Sequence, residues 1–313
     1  MYAVVFEQNG GPEVLEYKEV PDPTPADGQV MVDVEAVGIN YRDVYEREGD
    51  GYGSEPPAVV GVEGAGTVAD TGERVAWVAA PGSYAERVAV SREQVVPVPD
   101  GVSAELAAAA LLQGMTAHYL AYDSYPIERG DWVLVHAAAG GVGLLLTQMA
   151  KLRGGRVIAT TSTGEKAALA REAGADEVIA YDGFAERAHE ITAGERVAAV
   201  YDGVGQATFL EGFNALRPLG RMINYGSASG RPDPLDIAML APSGSLYVQR
   251  PTLATYTRTP KLLRERAGQL FELIDQGRLH IRIGARYPLS EARRAHEELE
   301  ARRTTGKLVL LPR

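Results

Sequence analysis

The sequence predicts an α/β protein in which a doubly wound parallel sheet is joined to an irregular antiparallel β-barrel. Three observations carry this. Up to about residue 120 the chain runs in short β-rich segments cut by Pro and Gly, and from Asp131 onward strand-like and helix-like segments alternate. The first alternation turns on a glycine cluster, Gly140-Gly-Val-Gly143. Strand–helix alternation is the pattern of a parallel sheet covered by helices on both faces.

The elements follow in order. Strands are expected at 2–7, 15–20, 30–38, 58–69, 74–79 and 85–90, where β-branched residues dominate between turn residues. Pro21-Asp-Pro-Thr-Pro25 and Glu55-Pro-Pro57 are rigid loops. An alanine-rich helix at 106–122 leads into the second half. There the expected strands are 132–137, 156–161, 177–180, 197–202, 221–225 and 245–249, with helices at 142–152, 165–173, 184–191 and 208–216 between them. A long helix at 261–276 is followed by a strand at 285–289, a helix at 290–302 and a strand at 307–311. The expected organisation is therefore 1–120, 121–260 and a return segment, 261–313, that completes the first domain.

Composition excludes several functions. Cysteine is absent from the 313 residues, which removes disulfides, iron–sulfur clusters, thiolate nucleophiles and cysteine-ligated zinc. The formal charge of −11, from 31 Lys+Arg against 42 Asp+Glu, opposes binding to nucleic acid or to an anionic membrane surface. Residues 133–150 are nearly uncharged, but Gly140, Gly141 and Gly143 interrupt the run, so it reads as a buried strand, a turn and a helix rather than a membrane span. The start, Met1-Tyr-Ala-Val-Val-Phe6, lacks a basic segment and is too short for a secretion signal, so a cytoplasmic protein is expected. The five histidines, at 118, 136, 189, 280 and 296, are scattered without metal-ligand spacing and no Gly-x-Ser-x-Gly elbow is present.

The strongest chemical signal is His136-Ala-Ala-Ala-Gly-Gly-Val-Gly143. From Ala138 it reads Ala-x-Gly-x-x-Gly, a dinucleotide fingerprint with alanine in place of the first glycine. Gly140 lets backbone amides approach a pyrophosphate, and Gly143 lets the following helix pack closely on the strand. It follows an apolar strand and opens an apolar helix, the context the motif needs. The end of the second strand, Ala159-Thr-Thr-Ser-Thr-Gly-Glu-Lys166, carries hydroxyls and a lysine where an NAD enzyme places Asp or Glu. No carboxylate at the strand end would repel a 2′-phosphate, so NADPH is the expected cofactor.

Over nearly its whole length the chain resembles the zinc-free quinone oxidoreductases of the medium-chain dehydrogenase/reductase superfamily, the group that includes zeta-crystallin. The resemblance rests on Gly10-Gly-Pro-Glu-Val-Leu15, Val37-Gly-Ile-Asn-Tyr-Arg-Asp43, Gln113-Gly-Met-Thr116, the fingerprint, Tyr201-Asp-Gly-Val-Gly205, Gly244-Ser-Leu-Tyr-Val248 with Arg250-Pro251, and Arg294-Ala-His-Glu297 with Thr305-Gly-Lys307. It implies a GroES-like irregular β-barrel wrapped around a Rossmann-type sheet. Zinc alcohol dehydrogenases of the superfamily carry cysteine where Asn40 stands and Gly-His-Glu where this chain has Gly61-Val-Glu63, so no metal ligands are expected. The segment 69–74 is shorter than in typical members and joins two strands directly.

The resemblance also implies roles. Asn40, Tyr41 and Tyr45 are the candidate catalytic residues. They belong to the segment Tyr41, Arg42, Asp43, Val44 and Tyr45, expected beside the nicotinamide. Tyr119, Gly141 and Val142, with Gly140, are expected cofactor contacts. Ser162, Thr163, Lys166 and Tyr181 match the 2′-phosphate end. Val204, then Gly226, Ser227, Ala228 and Ser229, then Pro251, Thr252 and Leu253 match the remaining strand-end contacts, and Arg302 matches a residue that also reaches the cofactor. Relatives pair their last Rossmann strand across a two-fold axis, so a homodimer is expected through the strand 245–249, from Ser245 to Gln249.

The expected activity is transfer of a hydride from NADPH to a quinone or an α,β-unsaturated carbonyl, without metal. Two alternatives stay open: an enone or enoyl reductase on the same scaffold, and a nucleotide-occupied binding protein, since zeta-crystallin relatives serve as lens proteins and RNA binders. The acidic balance argues against RNA.

Overall fold

Residues 1–51 and 53–312 are described by the computed structural model. Contacts divide the chain into two units, Met1–Met115 with Thr257–Arg313 and Thr116–Tyr256.

The first unit begins with an antiparallel pair, β1 (Tyr2–Phe6) and β2 (Leu15–Glu19). β3 (Gln29–Ile39) is its longest strand, and Val30, Val32 and Val34 alternate into the core. Asn40 then ends the strand and starts helix α1 (Tyr41–Glu48), whose N-terminus is fixed by Asn40 N–H donating to Asp43 Oδ2 at 2.9 Å. Gly49, at φ +79°, closes it in the left-handed region. This helix was not among the expected elements.

The strand expected at 58–69 is two strands, β4 (Ala58–Val59) and β5 (Gly64–Val68). The break has a cause: Gly61 takes φ +92°, and a Cβ there would lie 2.1 Å from the Tyr84 ring. β5 and β6 (Arg74–Trp77) form a hairpin across the short 69–73 turn, as the shortened segment implied. β7 (Arg87–Ser91) pairs with β3, and β8 (Val95–Pro97), a strand not expected, pairs with β6. Val32, Val68, Trp77, Tyr84 and Val90 are among the residues of this core.

Helix α2 (Ala104–Tyr119) runs from the first unit into the second and ends in a π turn, Leu120–Ser124. The second unit is a six-stranded sheet of β9 (Trp132–Val135), β10 (Arg156–Thr160), β11 (Glu177–Ile179), β12 (Val197–Asp202), β13 (Leu216–Asn224) and β14 (Tyr247–Gln249). Every pairing is parallel and the order is β11-β10-β9-β12-β13-β14. Numbered within the sheet this is 3-2-1-4-5-6, the dinucleotide-binding order with its switch point beside β9. The crossovers include α3 (Gly141–Leu152), α4 (Gly164–Glu172) and α5 (Phe184–Ile191).

Between β12 and β13 the chain departs from expectation. In place of one helix over 208–216 stand α6 (Phe209–Gly212) and a 3₁₀ turn, Phe213–Ala215, because β13 begins at Leu216 and leaves no room for longer helix. β14 is shorter than expected because Ser245 takes φ +55°, which no strand residue adopts. After α7 (Leu253–Tyr256), helix α8 (Pro260–Asp275) returns the chain to the first unit. β15 (Ile283–Pro288) and α9 (Ala292–Glu300) follow, the latter shorter than expected because a 3₁₀ turn, Leu289–Glu291, precedes it. The last strand, β16 (Lys307–Leu311), lies antiparallel on β3 and parallel to β15.

Candidate functional site

In the second unit the expected cofactor contacts collect at the carboxyl ends of the parallel strands. Gly140 is the extended residue before α3, and no side chain caps the helix, so its first N–H groups are left for an anion. A Cβ on Gly143 would lie 2.4 Å from Ala137 O and 2.7 Å from Ala138 Cα, so only glycine lets α3 approach β9. A Cβ on Gly140 would meet only Ala137 O, at 3.2 Å, which leaves that face of the turn open. Ala137 itself holds φ +50°, and its N–H donates to the Tyr181 hydroxyl at 3.0 Å. Tyr181 therefore braces the turn with its oxygen lone pair.

At the end of β10, Ser162 and Thr163 are exposed. Thr163 Oγ1 accepts from Lys166 N–H at 3.2 Å, which starts α4 and puts Lys166 in its first turn. Hydroxyls, a helix N-terminus and an ammonium on one turn suit a phosphate monoester.

Asp202, at the end of β12, organises the next two loops. Its Oδ1 accepts from Val204 N–H at 2.8 Å, Gly205 N–H at 3.0 Å and the Thr208 hydroxyl at 2.9 Å. Burial pushes its carboxyl up, and these donors oppose that. Ser229 Oγ donates to Val204 O at 2.8 Å, tying the 226–229 loop to the same node. Arg250 reaches Asn224 Oδ1 at 2.9 Å and fixes the segment before Pro251, Thr252 and Leu253. Tyr119 stacks on Tyr256 with centroids 4.2 Å apart.

Asn40 to Tyr45 and Arg302 lie in the first unit. Tyr41 and Tyr45 meet edge to face on α1, 5.3 Å apart. Burial raises the Tyr41 hydroxyl, and the charges of Glu300 and Arg302 act on it. Val44 is buried in the core, and Arg42 lies 3.8 Å from Asp43. Asp43 is pushed up to about 6, chiefly by burial.

At the start of α1 Asn40 meets two residues to which the sequence reading gave no role, Glu63 and Lys307. Lys307 Nζ donates to Asn40 Oδ1 at 2.7 Å and to Glu63 Oε2 at 2.5 Å. Asn40 Nδ2 donates to the same Glu63 oxygen at 2.8 Å, and Glu63 Oε1 accepts from Leu112 N–H, on α2, at 2.5 Å. All three side chains are buried, and Gly38 is glycine because a Cβ there would lie 2.5 Å from Glu63 Oε2 and 2.3 Å from Ala108 O. The available signal was a charge inside an apolar run: Lys307 opens Lys-Leu-Val-Leu-Leu, and Glu63 ends Val-Val-Gly-Val-Glu. Buried charges need partners.

This chemistry does not fit zinc. Val62 offers no donor atom, and Asn40 and Glu63 already hold an ammonium. Among the described residues no group of three His, Asp or Glu is placed to hold a metal, and no helix is long and apolar enough to cross a membrane. His136 and His296 are fully buried, and burial holds both at about 3, so neither is charged near neutrality.

Comparison with known proteins agrees with this geometry. Residues 26–100 match the alcohol dehydrogenase GroES-like domain and residues 141–267 the zinc-binding dehydrogenase domain. The fold and its fingerprint define a medium-chain dehydrogenase/reductase. A quinone oxidoreductase of Pseudomonas aeruginosa is 42% identical, with 99% of each chain covered. A mycobacterial protein solved in complex with NADPH superposes with a TM-score of 0.96 at 46% identity over 100% of both chains. A 2-haloacrylate reductase of a Burkholderia species is 37% identical, covering 99% of this chain and 98% of its own. The chain belongs to the quinone oxidoreductase family, and it is an oxidoreductase.

Proposed function

We propose that this protein is an NADPH-dependent quinone oxidoreductase that passes a hydride directly to a quinone or an α,β-unsaturated carbonyl, without zinc. The observation that carries the reading is the strand-end cradle around Gly140, Lys166 and Asp202, in a chain that matches an NADPH-complexed relative over its full length. Bound NADPH supplies the hydride from its nicotinamide ring.

The chain's own residues bind and orient. The N-terminus of α3, with Gly140, Gly141 and Val142, takes the pyrophosphate. Ser162, Thr163, Lys166 and Tyr181 take the 2′-phosphate, with Arg302 reaching the cofactor as well. Tyr119, Val204, the loop Gly226, Ser227, Ala228 and Ser229, and the segment Pro251, Thr252 and Leu253 line the remaining length. Asn40, Tyr41 and Tyr45 stand at the reacting end, with Arg42, Asp43 and Val44 between them setting the helix that carries the tyrosines. With no Lewis acid, the acceptor must be an electrophile that takes hydride unaided, as quinones and conjugated enones do. Catalysis then rests on orientation and exclusion of water.

A second reading, reduction of a conjugated carbon–carbon double bond, draws on the 2-haloacrylate reductase relative. A panel of quinones, enones and 2-haloacrylates, with and without chelator, decides between them by NADPH oxidation. Turnover of quinones insensitive to chelator is expected. Turnover confined to saturated ketones or abolished by chelator overturns the proposal.

A further inference from the structure

The site that zinc would occupy in other members of the superfamily already contains a positive charge. We propose that Lys307 is a positioning residue for hydride transfer, its buried ammonium fixing the Asn40 amide and, through it, the first turn of α1 with Tyr41 and Tyr45. The inference rests on the reading that this turn stands at the reacting end.

The geometry gives the reason. An amide side chain can present its oxygen or its nitrogen in either direction, and its neighbours decide. Here a cation stands on one side and a carboxylate on the other. Asn40 Oδ1 is committed to Lys307 Nζ, and Asn40 Nδ2 to Glu63 Oε2 and, at 3.2 Å, to Gly38 O. The Asn40 backbone N–H is committed to Asp43 Oδ2. The residue that caps α1 is thus held at its oxygen, its nitrogen and its backbone, with little freedom left in the turn that follows.

The ammonium is the member of the set that cannot be replaced by a neutral partner without cost to orientation. Glu63 is anchored independently by Leu112 N–H in α2, and Lys307 enters from β16, which pairs with β3 just before Asn40. Lys307 therefore links three separately fixed elements at one atom. Without its charge, Asn40 Oδ1 loses the ammonium that favours oxygen over nitrogen on that side. A misplacement of about 1 Å in a residue beside the reacting centre costs on the order of 100-fold in rate.

Lys307→Met alone leaves Glu63 with an uncompensated buried charge, so it tests stability as well as positioning. The decisive protein is the neutral pair, Lys307→Met with Glu63→Gln, which removes both charges at similar volume. It is expected to bind NADPH with a KM within twofold of the parent, since the 2′-phosphate contacts belong to the other unit. Its kcat for a quinone should fall about 10- to 100-fold. The deuterium isotope effect on kcat, from NADPH labelled in the transferred position, should rise as hydride transfer becomes the slow step. A merely structural ion pair predicts the opposite, recovery of kcat together with folding. Should the neutral pair fail to fold, Lys307→Met alone decides on its folded fraction, because it leaves Asn40, Tyr41 and Tyr45 unchanged. A kcat within twofold of the parent in either folded variant overturns the proposal. If the parent itself oxidises NADPH with no quinone or enone, the functional reading fails instead.

Discussion

The Tyr84 hydroxyl donates to Asp43 Oδ2 at 3.0 Å, and the Tyr84 hydroxyl oxygen lies 3.1 Å from His296 Nε2. The direction of this chain is fixed at its far end. Arg47 NH1 lies 3.3 Å from His296 Nδ1, and a guanidinium can only donate, so Nδ1 accepts and the ring carries its proton on Nε2. Every hydrogen in the row Arg47, His296, Tyr84 therefore points toward Asp43, which ties α9 and the Tyr84 loop to α1. Among the described residues Asp43 Oδ1 has no hydrogen-bond partner.

The first prediction is the pH dependence of stability. His136 and His296, held at about 3 against 6.5 unfolded, contribute stability that is full above pH 6.5 and is lost as pH falls through that window. Asp43, raised from 3.8 to about 6, works in the other direction: its contribution is present at low pH and is lost as pH rises toward 6. Between pH 4 and 6, unfolding takes up two protons on the histidines and releases one from Asp43. From these groups stability should fall by about 1.4 kcal/mol for each pH unit of acidification. Asp43→Asn removes the opposing group, so the slope should approach twice that value. Denaturant unfolding at pH 4.5, 5.5 and 6.5 measures it, and an unchanged slope contradicts the argument.

Two glycines of the fingerprint should separate packing from binding. Gly143→Ala drives a methyl into Ala137 O and Ala138 Cα, so it should cost about 1–3 kcal/mol and lower the Tm. Gly140→Ala meets only one backbone oxygen, at 3.2 Å, so it should leave the Tm of the unliganded protein nearly unchanged. Its added methyl should instead obstruct the pyrophosphate and reduce the stabilisation that NADPH confers. Thermal unfolding with and without NADPH reads both effects.

Lys166 tests the cofactor preference. Lys166→Ala removes one charge-assisted contact to the 2′-phosphate, about 1.5–3 kcal/mol, so the KM for NADPH should rise about 10- to 100-fold. The KM for NADH should barely move and kcat should hold, because the lost contact is uniform binding far from the hydride. A preference for NADPH over NADH kept within twofold would pass the role to Ser162, Thr163 and Tyr181.

Assembly follows from the edge of the parallel sheet. Among the described residues β14 pairs on one side only, with β13, and Tyr247 and Val248 are 55% and 39% exposed on it. An apolar unpaired edge invites a second strand, and two-fold pairing closes it. We expect a homodimer, and Val248→Asp should convert it to the monomer of 33.5 kDa. Light scattering that finds the parent already monomeric at micromolar concentration refutes the interface.

Much of the second unit was legible before any coordinates. The helix at 184–191 and the strand at 197–202 begin and end where their apolar pattern does, as does the strand at 307–311 in the first unit. The fingerprint stands on the expected strand–turn–helix, with Gly143 required by contact. Hydrophobic periodicity and glycine placement are local properties, and local properties survive in a linear reading. Helix α1 did not, because five of its eight residues are charged and Asp43, Glu46 and Arg47 among them are buried. Pattern reading assigns charge to solvent, and here partners distant in sequence reverse the assignment.

By itself the sequence determined the fold class, the order of the parallel strands' elements, the dinucleotide turn and the family. What only the tertiary structure decided is where the charges go: Lys307 meets Asn40 across 267 residues, and Tyr84 meets His296 across 212. A backbone turn is encoded by the few residues that form it. A buried ion pair is encoded by the desolvation that would penalise either partner alone, and its partner becomes visible only when the chain has closed around both.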